Sequence, residues 1–315
     1  MPLFDFYIMV DWSGGATRRG GRDTIWIAHG SRTLDVPLTC NPYSRTEAVC
    51  LIRSLLVEEV RSKRRVLLCF DFAYGYPRDF ASALQAATGK PDGDLPWMML
   101  WQYLSEHIKD DEGTVPNAKP SNRSNRFEVA SGINSLLSVD GEAAGPFWCA
   151  LPKGAYPLIP QRSPELFQTT QGFAVNALRL TDERAESDSP FRLFGNGCVG
   201  SQSLTGIARL HQLRNDPKLT AVSAVWPFET GWATKAKWLP KHVSILHAEI
   251  YPSVRDQIAD EIKDRGQVRA MWQWARDLDR AWRSFQPAIR RSASSSTRAS
   301  VPRRAAASFS AACRR

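Results

Sequence analysis

The chain has 315 residues, of which 43% are hydrophobic and 23% charged, so it can build a buried core and is not disordered throughout. Its apolar runs are short, such as residues 66–70, and none approaches the ~18 residues that a membrane-spanning helix needs. The acidic N-terminus argues against a signal peptide, and the six cysteines form no C-x-x-C pair. Together these features predict a cytoplasmic protein with no membrane partner.

The net charge of +9 is concentrated at one end of the sequence. Residues 290–315 contain seven arginines, no lysine and no acid, whereas the rest of the chain carries 34 basic and 32 acidic residues. The arginine-rich segment offers few large apolar side chains to offset the entropy lost on ordering. We therefore expect a folded domain over residues 1–289 and a disordered basic tail. A nearly neutral domain lacks the overall basic excess of a nucleic-acid-binding protein, although a local groove remains compatible with it.

The first 70 residues predict three strands, a helix and a fourth strand. The predicted strands cover residues 6–10, 23–28, 33–38 and 66–70. Ser44 and Glu47 have the spacing of a capping box, and apolar residues at helical spacing follow them to near Lys63. The resulting order is β-β-β-α-β.

Two acids stand at the ends of strands in this unit. Asp11 follows the first strand and Asp71 follows the fourth. A strand that follows a helical crossover usually lies parallel to an earlier strand of the same sheet, and open α/β sheets form their sites at the carboxyl ends of strands. We therefore expect Asp11 and Asp71 to lie side by side, with carboxylates close enough to share a cation.

The later part of the chain divides into a central segment and a closing unit. Residues 73–218 are harder to assign: they include a helical stretch with Trp97 and Trp101 and many prolines between Pro146 and Pro164, which indicates a large insertion or a set of long loops. Two further strands are predicted at residues 221–226 and 243–250. A closing helix is predicted to start at Asp264, with a buried face formed by Val268, Met271, Trp272, Ala275 and Trp282.

Four acids form the main candidate site: Asp11, Asp71, Glu249 and Asp264. Clustered carboxylates are the ligands that Mg²⁺ or Mn²⁺ prefers, and such ions support phosphate-ester hydrolysis. Each acid also has a structural interpretation, because an acid after a strand often forms a turn and Asp264 fits a helix cap.

Several motifs resemble a bacterial family of proteins predicted to be RNase H-like nucleases. These motifs are Asp11-Trp-Ser-Gly14, Asp71-Phe-Ala-Tyr-Gly-Tyr-Pro77, Glu249-Ile-Tyr-Pro252 and Lys263-Asp264. A wider set is similar to bacterial proteins labelled molybdopterin guanine dinucleotide synthesis: Asn125-Arg-Phe127, Gly145-Pro-Phe-Trp148, Gly200-Ser-Gln202 and Val225-Trp-Pro-Phe-Glu-Thr-Gly231. The resemblance covers about residues 6–285. It implies an RNase H-like α/β fold in which Asp11, Asp71 and either Asp264 or Glu249 bind metal.

A second candidate site lies in the central segment. Gly195, Gly197 and Gly200 match G-x-G-x-x-G, and Ser201 has the chemistry to cap the helix that follows. A dinucleotide site would also need a buried strand before the glycines, so a phosphate-binding helix start and a plain loop both remain open. Arg123, Arg126 and Lys263 have the charge to neutralise a phosphate near the acids, as alternatives to being solvated.

These observations predict a metal-dependent phosphoryl-transfer enzyme, nuclease-like in its chemistry, that acts on a nucleic acid or a phosphorylated small molecule. The alternative is a nucleotide- or pterin-phosphate-binding protein of molybdenum cofactor metabolism without nuclease activity. No sequence feature indicates the oligomeric state.

Overall fold

The computed structural model describes residues 2–89, 95–110, 121–138, 145–151, 154–231, 239–252 and 258–292, with side chains as far as residue 281. The strands are β1 (Phe6–Asp11), β2 (Trp26–Ser31), β3 (Leu38–Cys40), β4 (Val66–Phe70), β5 (Leu166–Gln168), β6 (Ala174–Asn176), β7 (Ser223–Val225) and β8 (Ile245–Glu249). The α-helices are α1 (Arg45–Arg61), α2 (Phe80–Ala87), α3 (Pro96–His107), α4 (Arg126–Leu137), α5 (Leu180–Ala185), α6 (Gly200–Arg214) and α7 (Lys263–Ser292).

The main sheet has six strands in the order β3-β2-β1-β4-β8-β7. β1 pairs antiparallel with β2, and β2 with β3, whereas β4, β8 and β7 all run parallel to β1. β5 and β6 form a separate antiparallel pair. The predicted β-β-β-α-β start is confirmed, and the fold is α/β with a mixed sheet.

α1 begins where the sequence predicts because Ser44 caps it. The Ser44 hydroxyl accepts a hydrogen bond from the Glu47 N–H at 3.2 Å. The Glu47 carboxylate accepts from the N–H of Tyr43 at 3.0 Å instead of that of Ser44, so only half of the predicted capping box forms. α1 then buries Ile52 and Leu56 against the sheet and returns the chain to β4.

Both faces of the main sheet are covered, and the two-residue repeat of each strand assigns its side chains to one face or the other. Val10 and Phe70 belong to the core shared with α1, α3 and α6. Met9 and Cys69 belong to the core on the opposite face, which α7 covers. The side chain of each residue at the strand ends therefore has a defined direction.

Several predicted boundaries are wrong by a few residues. The third strand is Leu38–Cys40 instead of residues 33–38, because the chain turns at residues 32–33 and bends at residues 35–36. The strand predicted at residues 221–226 is Ser223–Val225, preceded by a 3-10 turn at Thr220–Val222. α7 begins at Lys263, one residue before the predicted Asp264.

The central segment is more helical than its sequence indicates. Residues 73–218 contain α2 to α6, and members such as Leu104, Ile133 and Leu204 join the core on one face of the sheet. α7 continues past the boundary predicted at residue 289, while the rest of the predicted tail and the side chain of Trp282 lie outside the described residues. No helix within the described ranges is long and apolar enough to cross a bilayer.

Candidate active site

Asp11 and Asp71 lie side by side at the carboxyl ends of β1 and β4, as the strand order predicts. The N–H of Asp71 donates to the carbonyl oxygen of Val10 at 3.2 Å, which continues the parallel ladder past the end of β4. The two carboxyl groups are close enough for each to shift the pKa of the other. The Asp71 carboxylate also accepts the N–H of Trp12 at 2.7 Å, so backbone contacts fix the pair.

Both carboxyl groups hold their protons more tightly than ordinary aspartates do. Burial, followed by the negative charges of Asp71 and Asp264, raises the pKa of Asp11 well above its usual value. Burial also raises the pKa of Asp71 to about 7, although hydrogen bonds from Trp12 and Asp11 oppose the shift. Two ionised carboxylates at this position would repel each other unless a cation lay between them.

Asp264 and Lys263 stand next to this pair, at the start of α7. One oxygen of the Asp264 carboxylate accepts the N–H of Asp23 at 2.7 Å, which anchors α7 to the loop between β1 and β2. Burial raises the pKa of Asp264, and the backbone N–H groups of Asp23 and Thr24 oppose this rise. The positive charge of Lys263 offsets part of the rise in the pKa of Asp11. Both predicted residues thus influence the site, although α7 places Asp264 inside its first turn and not at the cap.

Glu249, the fourth predicted acid, is separated from the other three. It ends β8 in register with Phe70, whose side chain lies on the face opposite α7. Its carboxylate accepts two hydrogen bonds from Arg179, at 2.7 and 2.9 Å, and one from the N–H of Tyr74 at 3.0 Å. Arg179 also bonds Asp182 at 2.6 Å. Glu249 therefore serves as the partner of a largely buried arginine, a role that the sequence prediction did not include.

A buried arginine shapes the loop that follows Asp11. Arg45 is fully buried, and it donates to the carbonyl oxygens of Ser13 and Gly15 at 3.1 and 3.0 Å. It also donates to the backbone oxygen of Asn122 and pairs with Asp110 at 2.7 Å. Sequence patterns missed this residue because it occupies the first turn of α1. Its one signal was a positive charge at a helix start, where acids are usually favoured.

The Gly195–Gly200 loop differs from a dinucleotide site. Gly195 and Gly197 have φ angles of +116° and +77°, which favour glycine. The segment before them contributes no strand to the main sheet, and only an isolated bridge joins Arg192 to Trp148. The Gly200 N–H donates to the carbonyl oxygen of Arg192 at 3.0 Å. The strand that a dinucleotide site requires is missing here, and the Gly200 amide is already bonded.

Ser201 and Arg126, two residues predicted to bind phosphate, are in contact. The Arg126 Nε donates to the Ser201 hydroxyl at 2.8 Å, and that hydroxyl donates to the carbonyl oxygen of Leu193 at 2.6 Å. The prediction that Ser201 caps α6 is wrong, because Val199 is the N-cap and makes no side-chain cap bond. Ser201 instead positions Arg126.

The site thus offers a close pair of carboxylates, a third acid beside them, and a lysine. Within the described residues, no three His, Cys, Asp or Glu side chains are arranged to hold a metal ion by themselves. Comparisons of the chain with protein-family models, with curated proteins and with solved structures find no match. Function is therefore inferred from the side chains of the site.

Proposed function

We propose that this protein is a divalent-metal-dependent phosphoryl-transfer enzyme with an RNase H-like fold, and that it hydrolyses a phosphate ester in the manner of a nuclease. The observation that supports this most is the contact between the Asp11 and Asp71 carboxyl groups at the ends of adjacent parallel strands. A cation between the two carboxylates would remove their mutual repulsion, which is part of what raises the pKa of Asp11.

The residues present fit Mg²⁺ or Mn²⁺ in part. Asp11 and Asp71 would hold the ion, with Asp264 beside them, and water or substrate oxygens would complete the shell, as is usual for Mg²⁺. The bound ion would supply charge to activate a water and to stabilise the departing oxygen. The exposed Lys263 side chain adds a positive charge that favours a phosphate at this edge of the sheet.

The RNase H-like assignment draws on the order of the elements. Three antiparallel strands, a helical crossover and parallel strands added beside β1 agree with the fold that the motif resemblance implies. Asp11 lies on the central strand β1 and Asp71 follows its neighbour β4, where that resemblance expects metal-binding acids.

The decisive variant is Asp71→Asn. Asparagine keeps an oxygen for the Trp12 N–H but removes the charge, so metal-dependent hydrolysis of bis(p-nitrophenyl) phosphate and of short oligonucleotides is expected to fall by ~100-fold or more. At metal sites, loss of a hydrogen-bond partner of a ligand already lowers metal affinity or activity by ~10–100-fold, and loss of a ligand itself should lower it further. Asp35→Asn is the matched control, because Asp35 is exposed. Full activity in Asp71→Asn, or a wild type indifferent to Mg²⁺ and Mn²⁺, would exclude this function.

The same variant has a second readout in metal-free protein. The raised pKa of Asp71 means that its contribution to stability is complete at low pH and is lost as the pH rises from ~3.8 through about 7. At pH 8, Asp71→Asn should therefore melt above the wild type, by ~2 °C or more if the gain is ~1 kcal/mol. Adding Mg²⁺ should raise the melting temperature of the wild type and leave that of the variant nearly unchanged.

A nucleotide- or pterin-phosphate-binding protein of molybdenum cofactor metabolism is the second candidate. The contact between Arg126 and Ser201 beside the Gly195–Gly200 loop favours it, since an arginine at a helix start suits a phosphate. Phosphate binding without hydrolysis by any metal-loaded sample would make it the preferred function.

A further inference from the structure

Arg126 is a partly buried arginine whose hydrogen bonds go to neutral groups. Its Nε bonds the Ser201 hydroxyl at 2.8 Å and its Nη1 bonds the Ser124 hydroxyl at 3.2 Å. Its guanidinium carbon lies 4.4 Å from the centre of the Phe127 ring, which fixes the plane of the group. The fork is held in one orientation by contacts that leave its charge unneutralised.

Among the described residues, Arg126 forms no ion pair with a carboxylate. Glu128 influences its pKa, but the Glu128 carboxylate accepts a hydrogen bond from the Tyr156 hydroxyl at 3.0 Å. Asp110 is paired with Arg45 and Arg209. Burial, followed by the positive charge of Arg45, lowers the pKa of Arg126 to about 10. A charge in such surroundings would be stabilised by an anion.

Arg126 is also tied to the loop that leaves the acid pair. The backbone of Gly14 packs so closely on Ser201 that a Cβ atom on Gly14 would lie 2.8 Å from the Cβ of Ser201. Gln202 reaches the same loop and donates to the carbonyl oxygen of Trp12 at 2.8 Å. Gly14 lies three positions after Asp11, which limits the path between them to ~10 Å.

We propose that Arg126, held in place by Ser124 and Ser201, forms an anion subsite that binds a second phosphate of the substrate while the reacting phosphate lies at Asp11 and Asp71. The identity of the reacting phosphate rests on the proposed phosphoryl-transfer function, whereas the subsite itself does not. Arginine suits this role because its fork matches phosphate oxygens and its charge persists at neutral pH. The positive end of α6, which begins at Gly200, adds to the attraction.

Two kinds of substrate carry such a second phosphate. One is a polynucleotide, in which neighbouring phosphodiesters follow each other along the backbone. The other is a nucleotide with a diphosphate group. Both present the same chemistry to Arg126, so the dinucleotide pTpT and the nucleotide ADP can be used as separate probes.

The first test measures binding without hydrolysis. Inorganic phosphate at 20 mM should raise the melting temperature of the metal-free wild type above that in a chloride buffer of equal ionic strength, since a ligand that binds only the folded state stabilises it. Arg126→Gln should lose this shift. The matched control Arg61→Gln, at the exposed end of α1, should retain it. An equal shift in Arg126→Gln and wild type would overturn the subsite, and so would no shift in the wild type.

The second test measures selectivity in the metal-loaded enzyme. The KM for pTpT should be about tenfold lower than that for TpT, which lacks the terminal phosphate, as expected for a charged hydrogen-bonded contact. In Arg126→Gln the two KM values should converge, and Arg126→Lys, which keeps the charge, should retain part of the difference. Equal KM values in the wild type, together with no Arg126-dependent shift in melting temperature with ADP, would overturn the proposal. An Arg126-dependent shift in melting temperature with ADP but not pTpT would assign the subsite to nucleotides.

Failure of the two proposals can be told apart. If no metal-loaded sample hydrolyses any probe, the phosphoryl-transfer function fails, while the phosphate-dependent melting of wild type and Arg126→Gln still decides the subsite. If hydrolysis depends on Asp71 but neither melting nor KM depends on Arg126, the subsite fails and the enzyme function stands.

Discussion

His247 is a fully buried histidine in β8, and neither of its ring nitrogens has a hydrogen-bond partner among the described residues. Burial, helped by the positive charge of Arg214, lowers its pKa to about 3. The residue is therefore neutral in the folded protein at every ordinary pH. It lies on the face opposite α7, away from the Asp11–Asp71 pair, because its neighbour in register is Leu68.

The lowered pKa of His247 predicts acid sensitivity. Below pH 6.5 the unfolded chain takes up a proton that the folded protein cannot, so stability is complete above pH 6.5 and is lost as the pH falls towards about 3. The slope approaches ~1.4 kcal/mol per pH unit. We expect His247→Leu to remove this loss, so that between pH 6.5 and 4.5 the variant loses ~2 kcal/mol less of its free energy of unfolding in urea.

The exposed His242 provides the control for this measurement. His242→Gln should follow the wild-type dependence of unfolding free energy on pH. If the free energy of unfolding of His247→Leu falls with pH as steeply as that of the wild type, groups other than His247 dominate the acid sensitivity.

At the scale of elements, α6 meets the loop after β4 without space for a side chain. Phe72 directly follows Asp71, and its ring packs on the backbone of Gly206 in the middle of α6. A Cβ atom on Gly206 would lie 2.4 Å from the Phe72 ring. By contrast, a Cβ on Gly132, in α4, would meet no atom within 4 Å.

The two helical glycines should therefore respond to alanine in opposite directions. Gly132→Ala should stabilise the protein by ~0.5–1 kcal/mol, since alanine is the better helix former. Gly206→Ala should destabilise it by ~1–3 kcal/mol through overpacking, and should also reduce activity because Phe72 adjoins Asp71. Thermal unfolding of both variants checks this. Stabilisation by Gly206→Ala would show that α6 can move away from the Phe72 ring at little cost.

The elements also show what the sequence could and could not predict. The β-β-β-α-β start and the meeting of Asp11 with Asp71 were predictable, because the two-residue repeat, the Ser44 cap and the rule for parallel crossovers are local or general. The contact of Arg126 with Ser201 was not, because it joins residues 75 positions apart through tertiary packing. The pairing of Glu249 with Arg179 was hidden for the same reason, since Arg179 lies in the central segment where no pattern was visible.

At the scale of the whole molecule, the two ends of the described chain are joined. The Asp279 carboxylate, on α7, accepts the N–H groups of Leu3 and Phe4 at 2.7 and 2.9 Å. It also accepts the Tyr7 hydroxyl at 2.7 Å, and burial together with this carboxylate raises the pKa of Tyr7. Trp272 adds a bond from its indole nitrogen to the carbonyl oxygen of Tyr7 at 3.2 Å.

Asp279→Ala should therefore weaken the contact between α7 and residues 3–7 at the start of the chain. It leaves three donors without their acceptor, and each unsatisfied buried donor costs ~1–3 kcal/mol, reduced where water can enter. We expect a fall of several degrees in melting temperature and faster amide hydrogen exchange at residues 3–7. Asp277→Ala, an exposed acid two positions earlier, is the control. Unchanged exchange at residues 3–7 would show that α7 holds β1 through apolar packing alone.

The place of β8 in the sheet constrains how the nascent chain folds during synthesis. β4 lies between β1 and β8, and Val66 pairs with Ile245, which the ribosome adds 179 residues later. Until then β4, the wholly apolar strand Val66–Phe70, has an open edge, and α7 has not yet covered β1. Open apolar edges are the sites at which nascent chains aggregate. A chain truncated before residue 245 should thus require a chaperone to stay in solution, however well its first 70 residues fold.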